Sequence, residues 1–302
     1  MEHAILQTHS LTKKYGEFLA LDGVSLTLNE GDIYGLVGRN GAGKTTFFKC
    51  VMGLAKPTAG EVVIGGASAS LNAARRQIGF MIGLSFFPYL NPKENLEYLC
   101  RVKGVRAKGE TDRLLKLVGL DGVKKPFKAF SMGMKQRLGI AGALLGSPAI
   151  VVLDEPINGL DPQGIIDMRS LILDVHRQSG ATFIISSHIL SELDLVATRF
   201  GFIDGGTLRK EISHEELHEH TKKSLIVEVN DALRALLILQ RELNTEDIAM
   251  DGNRLTLTSH LDEPGRISRA LIDNGVELIE LHRQETTLEE YFIKLVGGGQ
   301  DD

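Results

Sequence analysis

No apolar run in this sequence approaches the roughly 18 residues that a membrane-crossing helix needs, so the chain itself is expected to span no bilayer. Cysteine is nearly missing. Cys50 and Cys100 have neither metal-site nor redox-pair spacing, and they are read as buried thiols in a reducing compartment. Met1-Glu2-His3-Ala4 lacks the charged and then apolar pattern of a signal peptide, so the expected location is the cytoplasm. Positive charge is not in excess either: a formal net charge of −5 leaves no electrostatic footprint for nucleic acid, and no nucleic-acid partner is expected. What remains has the composition of an ordinary globular protein, 43% hydrophobic and 24% charged. Its 302 residues suffice for one full-sized domain and a small one.

Against that background one stretch carries chemistry. Gly38-Arg39-Asn40-Gly41-Ala42-Gly43-Lys44-Thr45 fits the phosphate-loop pattern G-x-x-x-x-G-K-[ST]. It lies between an apolar run, Ile33 to Val37, read as a strand, and Thr46 to Met52, read as the first turns of a helix. That context gives the motif its mechanical meaning. Glycines let backbone N–H groups converge on phosphate oxygens, and the helix N-terminus adds partial positive charge. Lys44 is expected to reach the β- and γ-phosphates, and the Thr45 hydroxyl to ligate Mg²⁺.

About a hundred residues on, Ala149 to Leu153 is an apolar, β-branched run of the kind buried on both faces, and it ends in Asp154-Glu155. Two carboxylates at the end of a buried strand need a cation or a reaction. Beside a phosphate loop, Asp154 is expected to hold Mg²⁺ and Glu155 to polarise the water that attacks the γ-phosphate.

Phe130-Ser131-Met132-Gly133-Met134-Lys135-Gln136-Arg137 resembles the signature of ATP-binding cassette (ABC) proteins, with Ser131 and Gly133 carrying the resemblance. Asn158-Gly159-Leu160-Asp161-Pro162 resembles the D-loop, and His188, after the strand-like Thr182 to Ser187, resembles the switch histidine. Tyr15 resembles the aromatic residue that stacks on adenine. Together these motifs cover about residues 4 to 212. Ser131 to Leu138, Ser186 to Leu193 and Leu288 to Phe292 are similar to the branch that exports peptide antibiotics, drugs and similar amphiphiles.

That resemblance implies an α/β P-loop cassette with a mixed sheet core and a helical subdomain. It also implies ATP and Mg²⁺ as ligands, with catalytic roles for Lys44, Glu155 and His188. In this family the signature closes over nucleotide held by the other protomer. A second copy of the chain is therefore expected as partner, forming composite ATP sites in a homodimer, and a separate multi-spanning permease is expected to hold the chain at the inner face of the membrane. A soluble ABC-type ATPase acting on ribosomes or DNA, and a nucleotide-binding regulator without transport, remain as alternatives. One departure stands out. Ile78 to Pro88 resembles the Q-loop, where a Gln or Glu reaches the metal and the attacking water, but Gly83 occupies that place. One metal or water contact is expected to be missing.

Charge marks a boundary. Residues 1–210 carry 25 Lys/Arg against 19 Asp/Glu, whereas 211–302 carry 9 against 20. The expected division is 1–212 for the cassette, with its helical subdomain near 91–135, and 213–302 for an accessory domain. The stretch from Ser213 to His220 is read as a solvated connecting helix. Beyond it the pattern is strand, helix, strand, strand, helix, strand between Ser224 and Leu281. That order predicts a small α+β domain of the ferredoxin-like, split βαβ kind, with no catalytic constellation of its own.

Overall fold

The computed structural model describes residues 3–68, 72–105, 109–221, 223–245, 247–284 and 287–297. The chain separates into two compact units, one reaching to His214 and including the chain from Leu295, the other Glu215–Lys294. The first unit opens with β1 (Ala4–Tyr15), β2 (Phe18–Asn29), β3 (Ile33–Val37), α1 (Lys44–Val51), β4 (Ala59–Ile64), β5 (Ala67–Ser68), α2 (Asn72–Arg75) and β6 (Ile78–Met81). A helical stretch follows, with α3 (Pro92–Lys103), α4 (Glu110–Leu117) and α5 (Met132–Leu144). The chain then alternates through β7 (Ile150–Asp154), α6 (Pro162–Ser179), β8 (Thr182–Ser187), α7 (Leu190–Asp194), β9 (Arg199–Asp204) and β10 (Thr207–Ser213), reaching α8 (His214–His220), the expected connecting helix.

Two sheets form this unit. The first, β2-β1-β4-β5, is antiparallel throughout. The second runs β10-β9-β3-β8-β7-β6, parallel except for β10 at its edge. Every residue of β3 and β8 is buried, as is all of β7 except Asp154. Strands covered on both faces need unbroken apolar runs rather than alternation, which is why these segments were legible in the sequence. At their carboxyl ends the runs turn polar, and Asp154, Ser186 and Ser187 collect there. Ligand sites of parallel sheets lie at that edge.

Helix α1 is fixed by its apolar residues. Phe47, Phe48, Cys50 and Val51 join one buried cluster with Leu6 and Leu26 of the first sheet and Leu36, Val152 and Ile184 of the second. Each fully buried phenylalanine contributes about 1.5–3 kcal/mol, so the helix that carries the phosphate loop is held from both sheets. Burial also pushes the Cys50 thiol above its ordinary range, leaving it an unreactive apolar filler. Helix α3 starts with a capping box, in which Asn91 Oδ1 accepts from Glu94 N at 3.0 Å and Glu94 Oε2 accepts from Asn91 N at 2.8 Å.

The second unit holds β11 (Ser224–Val229), α9 (Ala232–Leu243), β12 (Ile248–Asp251), β13 (Arg254–Leu257), α10 (Pro264–Asp273) and β14 (Leu278–Gln284), followed by α11 (Leu288–Gly297), which runs past its boundary. Its sheet order is β12-β13-β11-β14 with every pair antiparallel. This is the strand order of a split βαβ unit, with β13 inserted between the strands that α9 connects. Leu225, Val227 and Val229 of β11 meet Ala235 and Leu239 of α9 and Ile267 and Leu271 of α10 in one core. Strand β14 runs three residues beyond the expected end at Leu281, because its pairing with β11 continues to Ser224 opposite Gln284. Among the described residues, no helix is long and apolar enough to cross a membrane.

Candidate functional site

Between the end of β3 at Val37 and the start of α1 at Lys44, the loop Gly38–Gly43 has no room for larger residues at two points. A Cβ on Gly38 would stand 2.5 Å from the Ile203 carbonyl oxygen. Gly43 caps α1 at φ 110°, a left-handed conformation that L-residues rarely adopt, and a Cβ there would meet the Ala20 carbonyl at 2.8 Å. The β9–β10 turn braces the loop: Gly206 N–H donates to the Ala42 carbonyl at 3.0 Å, and the Gly206 carbonyl accepts from Asp22 N at 2.9 Å.

Lys44 is buried, and its Nζ donates to the carbonyls of Gly38 at 2.6 Å and Arg39 at 3.2 Å. Nζ also lies 3.2 Å from Glu155 Oε1, an ion pair without the alignment of a hydrogen bond. The ammonium is therefore held at the mouth of the loop.

The two carboxylates are tied in different ways. Asp154 Oδ2 accepts from Thr45 Oγ1 at 2.8 Å and Oδ1 accepts from Ser186 Oγ at 2.6 Å. Glu155 takes a left-handed backbone, φ 50°, while its N–H donates to Ser186 Oγ at 2.9 Å. His188 Nδ1 stands 2.9 Å from Glu155 Oε2, and because a carboxylate only accepts, that nitrogen carries the proton. Thr45 and Asp154 thus bring hydroxyl and carboxylate oxygens together. Such hard oxygen donors suit Mg²⁺, which is usually held by one or two protein ligands and completed by water and phosphate.

Arg39, Asn40, Gly41, Ala42, Gly43, Lys44, Thr45 and Thr46 line one recess with Phe18, Ala20 and Glu155. Tyr15 is not among its lining residues; its ring lies under Lys13 Nζ, 4.7 Å from the centroid. Phe18, 65% exposed and just across the β1–β2 turn, is the aromatic residue at this recess, and the motif reading passed over it. Ser131, Gly133 and Asp161 line a second recess with Met132, Met134, Gly159 and Leu160, and the two recesses share no lining residue. Ser131 and Asp161 each cap a helix there: Ser131 Oγ accepts from Met134 N at 3.3 Å, and Asp161 Oδ1 from Gly164 N at 3.1 Å. Ser186 was also missed. Its only sequence signal is a small polar residue closing the apolar run of β8.

A family model described as ABC transporter matches residues 21–158. The bacitracin transport ATP-binding protein BcrA of Bacillus licheniformis is 39% identical over 98% of this chain and 98% of its own length. A lantibiotic transport ATP-binding protein, SrtF of Streptococcus pyogenes, is 38% identical over 68% of this chain and 89% of its own. A solved dimeric ATP-binding cassette in a post-hydrolysis state, bound to ADP and Pi, is 27% identical and superposes with a TM-score of 0.63 over 69% of this chain and 98% of that one. Similarity to a transport subunit over nearly the full length disfavours the ribosome- and DNA-acting alternatives. The chain belongs to the ATP-binding subunits of ABC transporters, and with them it is an ATP-hydrolysing P-loop cassette.

Proposed function

We propose that the chain powers a separate membrane permease that exports a peptide antibiotic or a similar amphiphile, working as a dimer at the inner face of the cell membrane. The observation that carries the chemistry is the convergence of Lys44, Thr45, Asp154, Glu155 and His188 at the carboxyl edge of one parallel sheet. Near-full-length likeness to a bacitracin transport protein, together with likeness to a lantibiotic transport protein, supports the substrate class.

The residues divide the work. Loop N–H groups and Lys44 receive the phosphates, and Lys44 exchanges its contacts with the loop carbonyls and Glu155 for phosphate oxygens. Thr45 and Asp154 would hold Mg²⁺, which when bound neutralises charge on the β- and γ-phosphates. Glu155, relieved of Lys44, orients the attacking water and accepts its proton, while His188 steadies the carboxylate from the other side. The recess around Ser131 and Gly133 is assigned to nucleotide on a second protomer, because it stands apart from the loop recess of its own chain.

Affinity purification of the tagged full chain from membranes tests the transport reading. A multi-spanning protein should copurify, and vesicles holding the pair should hydrolyse ATP faster when an exported peptide is present. Copurification with ribosomes or DNA instead would overturn it.

A further inference from the structure

Ser186 belongs to neither the phosphate loop nor the carboxylate pair, yet its hydroxyl touches both acids of the site. It is fully buried, and in the parallel pairing of β7 with β8 it stands directly opposite Asp154. Side chains at paired positions lie on the same face, which puts the hydroxyl beside the Asp154 carboxylate. Ser187, the next residue, instead accepts from Ile189 N at 3.0 Å.

The direction of each bond is fixed by chemistry. A serine hydroxyl has one proton and two lone pairs. The Glu155 N–H can only donate, so it takes a lone pair, at 2.9 Å, and the Ser186 proton goes to Asp154 Oδ1, at 2.6 Å. Occupying Oδ1 in this way leaves Oδ2 turned to Thr45. The same oxygen holds the N–H of a residue whose left-handed backbone, φ 50°, has no glycine to ease it. Thr45, Asp154, Ser186 and the Glu155 backbone form one continuous chain of hydrogen bonds.

We propose that Ser186 is a positioning residue for hydrolysis: one hydroxyl orients the Asp154 carboxylate toward the metal and pins the Glu155 backbone, so that metal ligand and water-activating carboxylate are set together. The inference rests on the roles proposed above for Asp154 and Glu155. Hydrogen-bonding partners that orient metal ligands and catalytic groups typically change metal affinity or activity ten- to hundredfold when lost.

The test uses the full chain with Ser186→Ala, Ser186→Thr and Ser186→Val. Threonine and valine are nearly the same shape, so their difference reads the hydroxyl even if the buried site tolerates the extra methyl poorly. Steady-state phosphate release gives kcat and KM, and titration with a fluorescent ATP analogue, in EDTA and over a Mg²⁺ series, gives a readout independent of turnover. Ser186→Ala and Ser186→Val should lower kcat about ten- to hundredfold with KM within about twofold. They should shift the Mg²⁺ dependence of binding to roughly tenfold higher concentration while leaving affinity in EDTA unchanged. Ser186→Thr should stay near wild type in both readouts. Equal behaviour of threonine and valine, or a wild-type Mg²⁺ profile in Ser186→Ala, would overturn the proposal. Asp154→Asn and Glu155→Gln run alongside: if they too leave hydrolysis intact, the site assignment fails, whereas if they abolish it while Ser186→Ala is silent, the role of Ser186 alone fails.

Discussion

Lys44 and Glu155 sit 3.2 Å apart, yet loss of each should leave a different defect. Lys44 meets phosphate in the ground state, so Lys44→Ala should weaken nucleotide binding tenfold or more. Glu155 acts on the attacking water, so Glu155→Gln should bind ATP normally while hydrolysis falls by about two orders of magnitude or more. Equilibrium titration and steady-state phosphate release separate the two, and a wild-type rate in Glu155→Gln would remove it as the base. Gly83 poses the opposite case. It has φ 64° and nothing within 4 Å of a Cβ, so a longer side chain has space at the cost of backbone strain of about 1 kcal/mol. If a metal or water contact is missing there, basal hydrolysis is slow and Gly83→Glu or Gly83→Gln raises it severalfold; unchanged or lower rates in both would show that Gly83 is no missing ligand. Lys44, Thr45, Asp154 and Glu155 were legible because spacing within a motif is local. Ser186 and Phe18 were not, since each matters only through a neighbour brought close by strand pairing or a turn.

Among the elements, the segment from β6 to α3 gathers four of its hydrogen bonds on one buried amide. Asn95, 1% exposed, accepts from Phe87 N at 2.8 Å and donates to the carbonyls of Phe87 at 3.2 Å and of Leu90 and Asn91, both at 3.1 Å. Asn95→Ala removes the partner of the Phe87 N–H, whereas the carbonyls of Phe87, Leu90 and Asn91 keep backbone donors from Leu90, Phe127 and Asn95; the stranded N–H should cost about 1–3 kcal/mol of stability. The variant's midpoint in urea should fall while nucleotide affinity stays intact. An unchanged midpoint would mean that water or backbone rearrangement satisfies the loop. Apolar runs in the sequence located the strands β3, β7 and β8, because burial on both faces writes itself as an unbroken run; the helical stretch near 91–135 was expected only from the family resemblance. Sheet order was beyond it. The placement of β8 between β3 and β7, which delivers Ser186 to Asp154, depends on pairings between strands more than 25 residues apart in sequence.

At the scale of the whole molecule the decisive feature is division. One recess holds the phosphate loop and Glu155, another holds Ser131 and Gly133, and no residue lines both. A cassette working alone would leave the second recess without a role in hydrolysis, whereas the proposed dimer, two copies facing each other, would complete two sites. The motifs themselves were readable from sequence, but their separation was not, since distance between distant segments is a property of the fold. Size exclusion of full-length Glu155→Gln, with and without Mg-ATP, tests the composite site most directly. The account predicts a dimer that forms only with Mg-ATP and is lost when Ser131→Arg is added to the same chain, even though that double variant still binds nucleotide. A Glu155→Gln chain that binds ATP normally and remains monomeric, or a dimer indifferent to Ser131→Arg, would contradict it.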